Sequence, residues 1–239
     1  MEFENLNYQS ASASREAEVS LAFPALMRKV YLWMTLALVI TGITAYVVAT
    51  NVTLSSLLYS SKMVMWVLVG AELAIVFGVT GAISKLSLPV ATLLFVLYSV
   101  INGALLSGIF LVYTVSSIST VFFITAGTFG AMSVFGYATN QDLTSWGKLL
   151  MMALIGLIIA TVVNLFVKST GLELIVSYAG VLIFVGLTAY DTQKIKQMCL
   201  QAPDAAETMQ KYALLGALSL YLDFINLFIY LLRILGKRD

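Results

Sequence analysis

The sequence predicts an all-α integral membrane protein: seven transmembrane helices forming one domain, with the last helix central. Three observations predict the class. Of the 239 residues, 60% are hydrophobic and 10% are charged. A soluble domain has about a quarter of its residues charged, so this chain lacks the polar groups to coat a globule. Apolar runs of about 20 residues, the length that crosses the hydrocarbon core, follow one another with short polar breaks. Between Leu86 and Gln141 there is no charged residue at all.

The first 29 residues, opening "MEFENLNYQSASASREAEVS", are polar and mixed in charge and read as a cytoplasmic tail rather than a signal peptide. The membrane domain is expected from residue 30 to 239. Its spans are predicted at Val30–Ala49, Met63–Ile83, Leu88–Val112, Ile118–Ala138, Lys148–Val167, Leu174–Ile195 and Tyr212–Leu235. Pro89 suits a first helical turn. Small residues four apart in the third span (Gly103 with Ser107, Ala104 with Gly108) and the fourth (Ala126 with Gly130, Gly127 with Ala131) predict close helix packing.

Loop lysines and arginines set orientation. With the N-terminus inside, the cytoplasmic segments hold Arg15, Arg28, Lys29, Lys85, Lys148, Lys194, Lys196 and Lys211, and the opposite side holds Lys62 and Lys168. The tail, with Arg233, Lys237 and Arg238, opposes this bias if seven spans place it outside. Six spans plus a re-entrant segment would place it inside. The length of the last run favours seven.

The chain has no histidine and one cysteine, Cys199. Catalytic histidines, histidine metal ligands and intramolecular disulfides are excluded. Proton sensing inside the membrane falls to carboxylates, and any metal site to oxygen ligands. No resident cofactor is expected. The net charge of +1 gives no reason to expect nucleic acid.

The acids inside the spans are therefore informative: Glu72, Asp191 and Asp223. Each costs about 2.5–3.5 kcal/mol at mid-bilayer if ionised and unpaired. Ser219, Asp223, Asn226 and Tyr230 fall at helical spacing on one face of the seventh span, which should therefore face other helices or water rather than lipid. Ser177, Gly180, Phe184, Thr188 and Asp191 form a matching stripe on the sixth. Consecutive antiparallel helices with facing stripes would bring Asp191 to Asp223. Two carboxylates at hydrogen-bonding distance cannot both ionise cheaply and share a proton. Such a pair is a proton-sensitive latch, or a cation site once deprotonated, and Glu72 could extend it. The bland readings stay open: Asp223 bonded to a neighbouring Ser, Asn or Tyr, and Asp191 paired with a lysine at the interface, one turn from Lys194. Depth poses an objection. Asp191 is close to Lys194, whereas Asp223 is far from Lys211, a difference of about 13 Å at 1.5 Å per residue. The two draw level only if the seventh helix begins in the cytosol or Lys194 reaches out from a deeper position. Pro203 and Asp204 suit a cytoplasmic turn and helix start there.

"LTAYDTQKIK" (Leu187 to Lys196) and "ALSLYLDFINLFIYLLRILG" (Ala217 to Gly236) resemble signature segments of the Bax inhibitor-1 family, the transmembrane Bax-inhibitor-motif proteins. "TAGTFGAMSVFGYATNQDLTSWGKLL" (Thr125 to Leu150) is similar to the family's central segment, and "GAELAIVFG" (Gly70 to Gly78) to its second span. The resemblance covers most of the chain from about Ala22 and implies the last helix wrapped by the other six. It also implies a calcium-permeable leak that responds to protons through an aspartyl pair, which falls here on Asp191 and Asp223, with acid favouring flux. A compact chain of this kind suggests a bacterial member in the inner membrane rather than the endoplasmic reticulum. The loop between the last two spans looks several residues longer than in the short bacterial form, and the second span has no basic residue in its core, which leaves a fixed counter-ion for Asp191 unassigned.

Two readings compete. The favoured one is a proton-regulated calcium leak in which Asp191 and Asp223 hold calcium weakly and transiently. Glu72, Asn102, Ser219, Asn226 and Tyr230 would support the path. The other is a membrane adaptor that binds a membrane protease or a cell-death regulator, with the aspartates structural. Partners are then the bilayer, calcium and protons, or another membrane protein. No enzyme is expected. The last span has no lysine for retinal between Lys211 and Arg233, a Ser–His protease lacks its histidine, and the aspartyl-protease motifs are half matched, by Tyr190–Asp191. A proton-coupled transporter also fits a carboxylate pair.

Overall fold

A computed structural model describes residues 2–201 and 206–238, with side chains for 24–198 and 208–238. Among the described residues the elements are α1 (Glu2–Thr50), α2 (Val52–Tyr59), α3 (Lys62–Ala82), α4 (Leu88–Leu106), α5 (Ile109–Val112), α6 (Val115–Ala138), α7 (Thr144–Val167), α8 (Thr170–Gln201) and α9 (Ala206–Leu235). Seven stretches are long and apolar enough to cross a membrane: Pro24–Thr50, Lys62–Ala82, Leu88–Val112, Val115–Ala138, Thr144–Val167, Thr170–Met198 and Thr208–Leu235. All seven expected spans are present. The first begins earlier than expected, because α1 runs unbroken through Pro24 from Glu2, so the residues read as a tail enter the same helix. The cytoplasmic turn expected at Pro203 and Asp204 lies outside the described residues.

The last helix is the central one. In the apolar window of the seventh span 67% of residues are buried, against 6% in the second and the fifth. Leu218, Leu220, Tyr221, Asp223, Phe224, Leu227 and Phe228 leave α9 buried almost all round, as a helix with no lipid-facing side must be. It packs against α8, α1, α6 and α4, while α3 joins the bundle through α4 and α7 through α8. Phe224 meets Phe129 and Phe122 edge-on, with centroids 5.5 and 5.4 Å apart, which fills the space toward α6.

Glycine decides where helices touch closely. A Cβ on Gly103 would lie 2.6 Å from the Thr41 carbonyl oxygen, so α4 and α1 meet backbone to backbone there. Gly136 of α6 likewise abuts the Ala189 backbone of α8. The small-residue reading of the third span thus holds at Gly103. In the fourth span it does not: a Cβ on Gly127 or Gly130 would meet nothing within 4 Å. The close crossing of α6 is made one helical face away, at Gly136.

Two irregularities were not expected. Asn51 ends α1 and caps α2, its Oδ1 accepting the Leu54 N–H at 3.1 Å. The third span breaks at Ser107–Gly108, where the Tyr59 hydroxyl of α2 lies 2.8 Å from Ser107 Oγ. At the same end of the bundle Tyr113 bridges Arg238, the Thr114 N–H donates to the Lys237 carbonyl at 3.2 Å, and the Lys237 N–H donates to Ser117 Oγ at 2.9 Å. The tail is thereby fixed beside the loop that joins the third span to the fourth. Arg238 also approaches Glu173 at 3.7 Å, at the start of the sixth span. An odd number of crossings puts the tail on this side, opposite the start of the first span. The re-entrant alternative does not apply.

Candidate functional site

The site is built on the antiparallel pair α8 and α9. A Cβ on Gly180 would meet the Tyr230 ring at 2.6 Å, and one on Gly216 would meet the Ile195 side chain at 2.9 Å. Phe184 also stacks on Tyr230, with ring centroids 5.9 Å apart and planes 23° apart. These contacts set the register. Asp223 stands level with Thr188, and Asp191 lies about one turn along α8, roughly 5 Å at 1.5 Å per residue. The depth objection is thereby answered. In this register Lys211 lies beyond Lys194 along the bundle axis, so distance from each lysine is a poor measure of depth.

Asp223 is buried, 4% exposed. Its Oδ2 is the buried side-chain atom without a hydrogen-bond partner among the described residues. The charges that act on it are Asp191 and Lys194, and Lys194 acts on Asp191 too. Asp191 is partly exposed. The Lys194 ammonium sits 6.0 Å from the centre of the Tyr190 ring. The other members of the expected stripe do not satisfy Asp223 Oδ2. Asn226 Nδ2 donates to the Leu222 carbonyl of its own helix at 2.8 Å, Tyr230 is engaged with Phe184 and with Arg233, 5.4 Å from its ring, and Ser219 is half-buried.

Glu72 belongs to a second network. Asn102 Nδ2 donates to Glu72 Oε1 at 2.7 Å, and the Tyr221 hydroxyl donates to Asn102 Oδ1 at 3.2 Å. The Thr41 hydroxyl lies 2.6 Å from that of Tyr221 and donates to the Ser99 carbonyl at 3.0 Å. Four helices, α3, α4, α9 and α1, meet in this chain. Tyr221 precedes Asp223 by two positions, which turns it by about 200° around α9. Glu72 therefore faces the far side of the central helix and does not extend the aspartate pair. Among the described residues no group of three acidic, cysteine or histidine side chains could hold a metal ion, so the set of three carboxylates considered from the sequence is not assembled.

A third set lies beside Asp191. The Tyr31 hydroxyl bonds Ser133 Oγ, which lies 2.9 Å from Thr192 Oγ1. Gln193, the next residue, accepts the Leu143 N–H at 2.8 Å and donates to the Gln141 carbonyl at 2.7 Å, clamping the loop between α6 and α7. In that loop Asp142 accepts the Thr144 N–H at 2.9 Å, and its bonds to Thr144 hold its carboxyl below the usual range. Sequence reasoning missed Tyr221, Thr41, Ser133, Thr192 and Gln193. The adjacency of Thr192 and Gln193 to Asp191 was the one available signal.

Seven apolar helices with the last at the centre, and an acid buried in that helix, define a multi-pass membrane protein with an intramembrane carboxylate site. Residues 24–239 match the family model "Inhibitor of apoptosis-promoting Bax1", and the chain belongs to that Bax inhibitor family. It is 50% identical over 214 residues to the inner membrane protein YbhL of Escherichia coli K12, covering 89% of this chain and 91% of that one. It is 45% identical over 212 residues to an uncharacterized protein of Borreliella burgdorferi, covering 89% and 91%. It is 40% identical over 186 residues to an uncharacterized membrane protein of Streptococcus pyogenes, covering 78% and 80%. Its relatives thus include a bacterial inner membrane protein.

Proposed function

We propose that this protein is a proton-regulated cation leak with calcium as the transported ion, and that Asp191 and Asp223 form its gate. The observation that carries the reading is the buried Oδ2 of Asp223, without a hydrogen-bond partner and within electrostatic reach of Asp191 across the α8–α9 contact. A carboxylate so placed is stable only when it holds a proton, shares one, or meets a cation. Protonation of the pair removes the repulsion between two negative charges. Its deprotonation, with Lys194 to offset part of the charge, favours a different packing of α8 on α9. The membership in the Bax inhibitor family supports the direction, in which acid opens the path. Calcium fits the oxygen-only chemistry of the chain, and two carboxylates suit transient rather than tight binding.

The N-terminus is proposed to face the cytoplasm, from the bias of Arg28, Lys29, Lys85, Lys148, Lys194 and Lys196 toward that side. The test of function is flux into liposomes that contain only this protein and a calcium dye. Wild type should admit calcium faster in mildly acidic than in mildly alkaline buffer. Asp223→Asn and Asp191→Asn should flatten that dependence. Entry at the protein-free background for wild type and both variants would reject the leak and leave an adaptor role.

A further inference from the structure

Between α1 and α6 lies a groove of about 580 Å³ whose exposed lining is almost entirely apolar. From α1, Tyr31, Thr35, Leu38 and Gly42 line it at helical spacing, and from α6, Ala126 and Gly130 do. Phe224 of the central helix forms its floor. The two glycines leave it open: a Cβ on Gly42 or Gly130 would meet nothing within 4 Å. This is also why Gly130 packs against no helix.

We propose that this groove binds one acyl chain of an anionic phospholipid, with the phosphate held at Arg28. Two features select that occupant. The first is length. The lining of α1 from Tyr31 to Gly42 rises roughly 16 Å at 1.5 Å per residue, and one leaflet is half of a hydrocarbon core about 30 Å thick. The groove is about one leaflet deep, and its Tyr31 end adjoins the basic pair Arg28 and Lys29. The second is charge. Arg28 is exposed and precedes Tyr31 by three positions, so it continues the lining face of α1 at the groove mouth, with Lys29 beside it. A single basic side chain near an anionic headgroup gives about a fivefold preference. The polar wall at this end, Tyr31 bonded to Ser133, meets the ester region of a lipid so placed. The site does not depend on the leak reading.

The test is native mass spectrometry of the full chain in detergent with equal amounts of phosphatidylglycerol and phosphatidylcholine carrying the same acyl chains. Wild type should retain phosphatidylglycerol about fivefold over phosphatidylcholine. Arg28→Gln should bring the two to parity. Gly130→Leu, which fills the groove from α6, should abolish retention of both, and Gly42→Leu should repeat this from α1. Gly127→Leu, also in open space but outside the groove, should leave retention as in wild type. Equal retention by wild type and both groove-filling variants would overturn the proposal, as would parity in wild type. So would a wild-type dimer that Gly130→Leu converts to monomer, which would make a second copy of the chain the occupant.

Discussion

At the residue scale the central helix carries two buried polar side chains, Tyr221 and Asp223, that look in opposite directions. Tyr221 is fully engaged: its hydroxyl joins Thr41 to Asn102, and its ring meets those of Tyr98 and Phe95 edge-on at 5.7 and 6.1 Å. Tyr221→Phe keeps the ring and deletes the bridge. Hydrogen bonds between membrane helices are worth about 0.6 kcal/mol on average and up to about 1.7, so the variant should lose roughly that range in a detergent unfolding titration. Asp223→Asn should leave stability unchanged or raised, since an unpaired buried carboxylate becomes a neutral amide, while it flattens the pH dependence of flux. Gln193→Ala removes both bonds to the loop at Gln141 and Leu143. It should cost about 1–3 kcal/mol and increase amide exchange in residues 139–143. Asp191 and Asp223 were legible in the sequence because a charge inside an apolar run is costly and therefore conspicuous. Tyr221, Thr41 and Ser133 were not, because lone hydroxyls are unremarkable in apolar helices and Thr41 lies 180 residues from its partner Tyr221.

Among the elements, α6 shows how little spacing alone determines. Small residues four apart, Ala126 with Gly130 and Gly127 with Ala131, suggested a helix contact, yet the backbone approach occurs at Gly136 against Ala189. Gly136→Val should force α6 from α8 next to Asp191, costing about 1–3 kcal/mol as overpacking does. Gly127→Val should stay within about 0.5 kcal/mol. Thermal unfolding of the two variants side by side separates these outcomes. The spans were readable because about 20 apolar residues have few alternatives to crossing a bilayer. Several starts were read late, at Lys148 rather than Thr144 for example, because helix continues past the apolar stretch into polar turns that hydropathy does not mark; the third span begins at Leu88 as read. The break at Ser107–Gly108 carries no proline; it is legible only with Tyr59 docked against it.

For the whole molecule, the tail settles a question the charges left open. Residues 237 and 238 are hydrogen-bonded and bridged to the loop at 113–117, so both lie on one side. With the N-terminus cytoplasmic, a phosphatase fused after Asp239 should be active in bacterial cells and a fluorescent protein fused there dark. The reverse pattern would invert the whole orientation without altering the fold. The basic residues Arg233, Lys237 and Arg238 then oppose the bias of the loops and are held instead by Tyr230, Ser117 and Glu173.

The central position of α9 also has a consequence for how the protein is made. Ribosomes deliver the other six spans first, so the bilayer must hold a ring of helices before its hub exists. Until α9 inserts, the faces of α1, α6 and α8 that it will cover meet lipid or one another, and Asp191 waits without its counterpart. The insertion machinery must therefore admit last the helix that ends up most buried in the bundle, carrying an acid into a place its predecessors have kept for it. A chain stopped before Ala206 should reach the membrane and be cleared by proteases faster than the full chain.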